Sequence, residues 1–309
     1  MAERRQPGSL DRHPRDVLAE RGIRPRKALG QNFMISAAHL DRVADAGEIS
    51  RGDVVLEIGA GLGTLTARLA ARAGRVVSVE VDRRLHEIAA ANLREFANVT
   101  LLRCDFLAGK HSINQEVTAA AVAALGPGHR ALPGHRALPG QRTLKVVSNP
   151  PYSISSPAII ALWEWDVPVG SICMTLQREV ADRLTAAPGR KEYGPLTVFT
   201  DYWATAQRLA NLPPRAFWPA PEVSSTLVKI VRRPERRRTP EYDVFAAVVR
   251  RLFESRRKTL AHMLRAGWGA DTAEKVIARL SLSPTERAEN LTTADFEAIA
   301  AVAGPPRRA

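Results

Sequence analysis

The chain has 309 residues, 45% hydrophobic and 25% charged, with a formal net charge of +13. That length and composition suit one large globular domain plus a small one, and the basic surplus favours a polyanionic partner, nucleic acid before an anionic membrane. The two cysteines, Cys104 and Cys173, sit in apolar runs; they read as buried thiols, which excludes a disulfide framework and a zinc spacing. No apolar stretch reaches the length of a membrane span, and Met1 to Arg15 has no signal-peptide apolar region, so a cytoplasmic protein is expected, with no membrane partner.

Residues 1–13 are expected to be disordered, and 14–21 to form a short helix stopped by Gly22. Arg24, Arg26 and Lys27 then lead into Leu29-Gly30-Gln31-Asn32-Phe33-Met34. Gly30 permits an unusual backbone angle, and the segment reads either as a solvated basic loop or as a lid that touches phosphate and cofactor. Ser36 is placed to N-cap a helix through Ala46. A strand over 53–58 runs into Gly59-Ala60-Gly61-Leu62-Gly63 and a helix over 64–73. Glycines at such a turn let the backbone approach a ligand closely, in dinucleotide and adenosylmethionine sites alike. The tight final spacing and the preceding Glu57 lean towards adenosylmethionine. The next strand, 76–79, ends in Glu80, where a carboxylate can hold two ribose hydroxyls. A helix over 83–96 and a strand over 99–103 bring in Asp105, which reads either as a turn residue or as an acceptor for an adenine amine.

Residues 109–142 break the β-α rhythm and read as a surface insertion. A helical run over 115–125 is followed by Gly128-His129-Arg130-Ala131-Leu132-Pro133 and its copy Gly134-His135-Arg136-Ala137-Leu138-Pro139. The Gly and Pro content predicts a loop, and its histidines lack the carboxylate or Cys companions of a metal site. A strand over 143–147 ends at Ser148-Asn149-Pro150-Pro151-Tyr152. Two consecutive prolines stop the ladder and stiffen the backbone at the sheet edge where α/β proteins bind ligands. The Asn149 oxygen and the Pro150 carbonyl can accept from an exocyclic amine, and the Tyr152 ring can stack on a base. This resembles the catalytic motif of methyltransferases acting on the adenine amine, although an Asn-Pro turn before a core Tyr fits those residues equally well.

Beyond it, Ser155-Ser156-Pro157 is expected to cap a helix, 169–176 to form a fifth strand and 177–184 a charged helix. Phe217 and Trp218 fall in a stiff Pro-rich loop, and 223–231 alternates as a late strand. Arg232 to Pro240 reads as a linker, followed by helices over 245–252, 256–267, 272–280 and 294–302. Arg250, Arg256, Arg257 and Lys258 cluster where a phosphate backbone could lie.

In this order, Leu29-Gly30-Gln31-Asn32-Phe33, Glu57-Ile58-Gly59-Ala60-Gly61-Leu62-Gly63, Asn149 to Pro157, Gln177-Arg178-Glu179-Val180-Ala181, Tyr193-Gly194, Phe217 to Val223 and Phe253 to Leu260 resemble the small-subunit ribosomal RNA adenine dimethyltransferase family. The resemblance implies an α/β fold: a Rossmann-like class I methyltransferase sheet with a small C-terminal all-helical domain. Its expected limits are a flexible extension over 1–23, a methyltransferase domain over 24–232 and a helical RNA-binding domain over 241–309. It implies S-adenosylmethionine as cofactor, on Asn32, Met34, Gly59, Gly61, Glu80, Asp105 and Asn149. It implies chemistry at Asn149, Pro150 and Tyr152; reaching the amine requires an unstacked base, expected against Tyr152 with Phe217 on its other face. RNA is expected on Arg24, Arg26, Lys27, Arg250, Arg256, Arg257 and Lys258. The implied reaction dimethylates two adjacent adenines near the 3′ end of small-subunit ribosomal RNA within the immature subunit, by a monomer without metal. The family usually has Leu at the position of Pro150 and Asn at that of Ser153. A macrolide-resistance-type dimethylase of large-subunit RNA and a ribosome-assembly factor with secondary catalysis stay open as alternatives.

Overall fold

The computed structural model describes residues 10, 12–26, 29–109, 112–127, 142–236 and 238–307. Lys27 and the tandem copy therefore lie outside the described residues. The chain divides into two compact units, Met1–Ala181 with Gln207–Arg232, and Asp182–Ala206 with Arg233–Ala309. Residues 182–206, expected within the first domain, thus group with the C-terminal helices.

The first unit opens with α1 (Pro14–Ala19), β1 (Phe33–Met34), α2 (Ala37–Ala46), β2 (Val54–Ile58), α3 (Thr64–Arg72), β3 (Arg75–Val79), α4 (Arg83–Leu93) and β4 (Val99–Leu102). It continues through the short β5 (Leu107–Gly109) and β6 (Ser112–Ile113), then α5 (Gln115–Leu125), β7 (Leu144–Ser148), α6 (Ser155–Glu164) and β8 (Val169–Gln177). After α7 (Arg178–Leu184) and α8 (Pro195–Trp203) come β9 (Ala204–Leu212), β10 (Phe217–Trp218) and β11 (Ser225–Arg232).

Seven strands form one mixed sheet in the order β4-β3-β2-β7-β8-β11-β9. Strands β4, β3, β2, β7 and β8 pair in parallel, and β11 runs antiparallel to β8. Every side chain of β2 is buried, as a central parallel strand covered on both faces requires. On one face, Leu40, Val43 and Ala44 of α2 and Leu65 and Leu69 of α3 close on Val55, Val76 and Val147. On the other, α5 packs on β2, β3 and β4 and buries Val117, Ala121 and Leu125. That corrects the insertion expected at 109–142: its first half is the crossover helix from the edge strand β4 back to β7. The chain reverses its winding between β2 and β7, and ligands bind at the carboxyl ends of such a strand pair.

Three further expectations are corrected. The N-terminal extension is not flexible along 14–23, because Val17 and Leu18 are fully buried with Phe33, Leu62, Leu85 and Ile88. Phe217 and Trp218 form a strand rather than a loop, pairing antiparallel with Met34 and Phe33. Cys104 is only half-buried, whereas Cys173 is buried.

The second unit packs α8 against α9 (Pro240–Leu252), with α10 (Leu260–Trp268), α11 (Ala270–Leu280) and α12 (Thr293–Ala303) completing it. Its core is aromatic. The rings of Tyr202 and Phe245 stack at 4.7 Å, those of Trp203 and Tyr242 lie 4.8 Å apart, and the Arg236 guanidinium sits 4.3 Å over Tyr202. Helix α10 starts at Leu260 rather than near Arg256 because the Thr259 side chain caps it, accepting from His262 N. No helix among the described residues is long and apolar enough to cross a membrane.

Candidate active site

A cavity opens at the carboxyl ends of β2 and β7, lined by Leu29 to Met34, the glycine loop, Glu57, Glu80, Val81 and the run Asn149 to Tyr152. It gathers most of the residues expected to bind cofactor and substrate. Gly59 adopts φ +85°, and a Cβ there would stand 3.0 Å from Cδ of Pro151. Gly30, at φ +60°, passes so close that its Cβ would meet Tyr152 N at 3.3 Å. Only glycine fits both demands at these points. The segment from Leu29 to Met34 is therefore part of the wall.

The glycine loop is held by carboxylates. Glu80 is 6% exposed; its Oε2 accepts from Gly61 N at 2.8 Å and its Oε1 from Asp82 N at 2.9 Å. Burial raises its pKa above the usual carboxyl range, opposed by those backbone bonds. A third backbone bond comes from Val81, and since an ionised carboxylate has about four lone-pair sites, acceptor capacity remains for a ligand hydroxyl. Glu57, fully buried beneath the loop, accepts from Thr66 Oγ1 at 2.5 Å and Ser78 Oγ at 2.6 Å. Burial lifts its pKa to about 7 against those bonds. Asp82 caps α4, and its Oδ2 accepts from Gln31 Nε2 at 3.3 Å. Exposed Val81 and buried Phe33 and Leu62 add apolar lining.

On the facing wall, Asn149 Nδ2 donates to Asn32 O at 3.2 Å, and Thr175 Oγ1 donates to Asn149 Oδ1. The Tyr152 hydroxyl is hydrogen-bonded to Ser225 Oγ at 2.5 Å, which fixes the ring by its far end. Ser155 does not cap α6. Its hydroxyl donates back to Pro151 O at 3.2 Å, and the helix follows a 3₁₀ turn over Tyr152–Ile154. Ser148 Oγ ties β7 to β2, donating to Ile58 O at 2.6 Å.

Two expected site residues stand apart. Asp105 is exposed, its Oδ1 accepting from Leu107 N at 3.1 Å, the turn role already open to it. Phe217, expected on the second face of the base, is 2% exposed and packed in the main core. Its neighbour Trp218 is half-buried, stacked on Phe33 at 6.4 Å. The described basic residues Arg24, Arg26, Arg250, Arg256, Arg257 and Lys258 are all exposed. Arg26 lies 3.8 Å from Asp82, Arg250 sits 5.2 Å over the Phe199 ring, and Arg256 bonds Glu289 at 2.8 Å and Lys191 O at 2.9 Å. Sequence reasoning missed Thr175, Ser225, Gln31 and Val81. The one signal for Thr175 is a hydroxyl inside the apolar run Ile172-Cys173-Met174-Thr175-Leu176.

The arrangement suits a nucleoside cofactor, because a cradle that a Cβ would fill meets buried carboxylates and an apolar lining. Comparison with known proteins agrees. The chain is 36% identical over 290 residues to a ribosomal RNA small subunit methyltransferase A of Pelotomaculum thermopropionicum, covering 93% of this chain and 94% of that one. It is 33% identical over 298 residues to the Geobacillus kaustophilus protein of the same name, covering 94% and 95%. Its fold matches a Plasmodium falciparum dimethyladenosine transferase with a TM-score of 0.67 at 20% identity, over 89% of this chain and 99% of that one. It also matches the 23S rRNA methyltransferase ErmE with a TM-score of 0.62 at 22% identity, over 88% and 99%. Residues 22–303 match the model of the ribosomal RNA adenine dimethylase family, and with the glycine cradle and the Asn-Pro-Pro-Tyr wall facing one cavity, the chain belongs to that family.

Proposed function

We propose that this chain transfers methyl groups from S-adenosylmethionine to the N6 amines of two adjacent adenines near the 3′ end of small-subunit ribosomal RNA, acting on the immature subunit as a cytoplasmic monomer. The observation that carries this reading is Asn149 facing the glycine cradle across one cavity. Relatives named for the small subunit at 36% and 33% identity favour that substrate over large-subunit RNA.

The cofactor fits the Gly59–Gly63 loop, Glu80 and the wall from Asn32 to Met34. When bound it supplies an electrophilic methyl group on a sulfonium. The protein's own residues must then activate a poor nucleophile, since the adenine amine's lone pair is delocalised into the ring. Asn149 Oδ1 and the Pro150 carbonyl accept from the amine's N–H groups and stabilise the positive charge that grows on nitrogen. A preorganised group of this kind contributes about 3 kcal/mol. Tyr152, its hydroxyl fixed by Ser225, offers a ring face to an unstacked base. No strong general base is required, because the methylated nitrogen is acidic enough to lose its proton to water. The exposed Arg257 and Lys258 serve RNA phosphates, while Arg256, paired with Glu289, shapes their turn.

Nucleoside mass spectrometry after incubation with labelled adenosylmethionine tests the reading, using immature small subunits and, separately, naked large-subunit RNA. Dimethyladenosine from the small subunit is expected. Label only in large-subunit RNA overturns the substrate, and no label in either overturns the activity.

A further inference from the structure

The Asn149 amide is gripped at both ends. Its Nδ2 donates to Asn32 O at 3.2 Å, and its Oδ1 accepts from Thr175 Oγ1. The chemistry of these neighbours decides which way round the amide stands. A backbone carbonyl can only accept, so the amide nitrogen must face Asn32 O. Turned over, Oδ1 would oppose that carbonyl, lone pair against lone pair. At the other end a hydroxyl can donate, so Thr175 satisfies the oxygen in the orientation Asn32 imposes.

Topology explains why Thr175 is the neighbour. Strands β7 and β8 run parallel with Ser148 opposite Met174. Asn149 and Thr175 are each one step further on, where the β7 ladder has ended. Thr175 is fully buried. A hydroxyl in that position is costly unless it is hydrogen-bonded, and an aliphatic side chain would serve packing alone.

We propose that Thr175 is a positioning residue for methyl transfer: its hydroxyl holds the Asn149 amide so that Oδ1 keeps one lone pair for the target amine. The inference rests on the role proposed above for Asn149. Without the hydroxyl, Asn149 keeps only the Asn32 bond and can swing about it, so the acceptor is misplaced while the cofactor cradle stays intact. The effect should fall on turnover rather than on binding.

Thr175→Val keeps the shape and removes the hydroxyl, Thr175→Ser keeps the hydroxyl, and Thr175→Cys substitutes a weak donor. Each would be compared with wild type and Asn149→Ala for kcat and KM on immature small subunits, for adenosylmethionine affinity and for melting temperature. Thr175→Val is expected to lower kcat about 10- to 100-fold, with KM and cofactor affinity within about twofold of wild type, the signature of a transition-state effect. Thr175→Ser should restore most of the rate, and Thr175→Cys should fall between. Wild-type kcat in Thr175→Val overturns the proposal. So does a loss that Thr175→Ser shares in full, which would mean that Thr175 only fills the core. If Val does not fold, wild-type turnover in Thr175→Cys overturns it instead. Wild-type turnover in Asn149→Ala overturns the reading of the site itself, and the role of Thr175 with it.

Discussion

The glycine-loop wall of the cavity is held by partners close in the chain, and the Asn-Pro-Pro-Tyr wall by partners far along it. Glu80 reaches Gly61 across 19 positions, and Glu57 reaches Thr66 and Ser78 across 9 and 21. All belong to one β-α-β stretch. On the other wall, Asn149 meets Asn32 across 117 positions, Tyr152 meets Ser225 across 73, and Thr175 reaches back across 26. The first wall is complete once two strands and a helix have formed. The second needs the segment that carries Asn32 and the two strands beyond the motif that carry Thr175 and Ser225. Damage to the first should therefore register as weaker cofactor binding, and damage to the second as slower chemistry.

Asn149→Ala should give the largest effect and tests that division directly. Removing the acceptor is expected to lower kcat about 100- to 1,000-fold, while adenosylmethionine affinity changes only a few-fold. Calorimetric titration beside single-turnover kinetics separates the two, and an equal collapse of affinity would erase the distinction between the walls. Gly59→Ala strikes where the walls meet. Its φ of +85° disfavours any side chain, and the new Cβ would press on the Pro151 ring at 3.0 Å. A stability loss of about 1–3 kcal/mol in urea unfolding is expected, together with weakened cofactor binding. Unchanged affinity would mean that the loop does not cradle the cofactor.

The same division governs what the sequence discloses. The strand, Gly59 to Gly63 and Glu80 follow one another at fixed spacing, so local pattern places them against a ligand. Asn149, Pro150 and Tyr152 are legible as a motif, but the groups that hold them are not. Thr175 and Ser225 come from strands whose neighbours are set by the order of the sheet, and no local pattern reveals that order. Helix α8 and strand β9 escaped notice because periodicity is weak between the Tyr193-Gly194 turn and the Pro-rich loop. Asp105 and Phe217 are legible as family positions, but their surroundings are not: Asp105 bonds Leu107 N in its own turn, and Phe217 is buried in the core and pairs with Met34.

Glu80→Gln should have a smaller effect than either variant above. A neutral amide keeps one acceptor oxygen, so one of the bonds from Gly61 N and Asp82 N survives and the other donor is left opposite an NH₂ group. About tenfold weaker adenosylmethionine binding is expected, equivalent to about 1.4 kcal/mol, with kcat at saturating cofactor retained. A loss confined to kcat would place Glu80 with the chemical wall and break the comparison.

Glu57→Gln should have the smallest effect, visible only against pH. Burial raises the Glu57 carboxyl from 4.5 to about 7, so between those values the folded chain holds a proton that the unfolded chain releases. Stability then falls as pH rises, since the folded state binds more protons. The contribution is full below about 4.5 and is lost as pH climbs through about 7. Glutamine is neutral throughout, so melting temperatures measured from pH 4.5 to 7.5 should fall more steeply in wild type than in Glu57→Gln. Glu80, also raised by burial, titrates in both proteins, and its charge is the smallest of the causes of the Glu57 shift. Thr175→Val should run parallel to wild type over the same range, because a hydroxyl does not titrate there. Parallel curves for Glu57→Gln would mean that the carboxyl beneath the glycine loop is ionised at neutral pH in the folded chain, its charge met by the Thr66 and Ser78 hydroxyls.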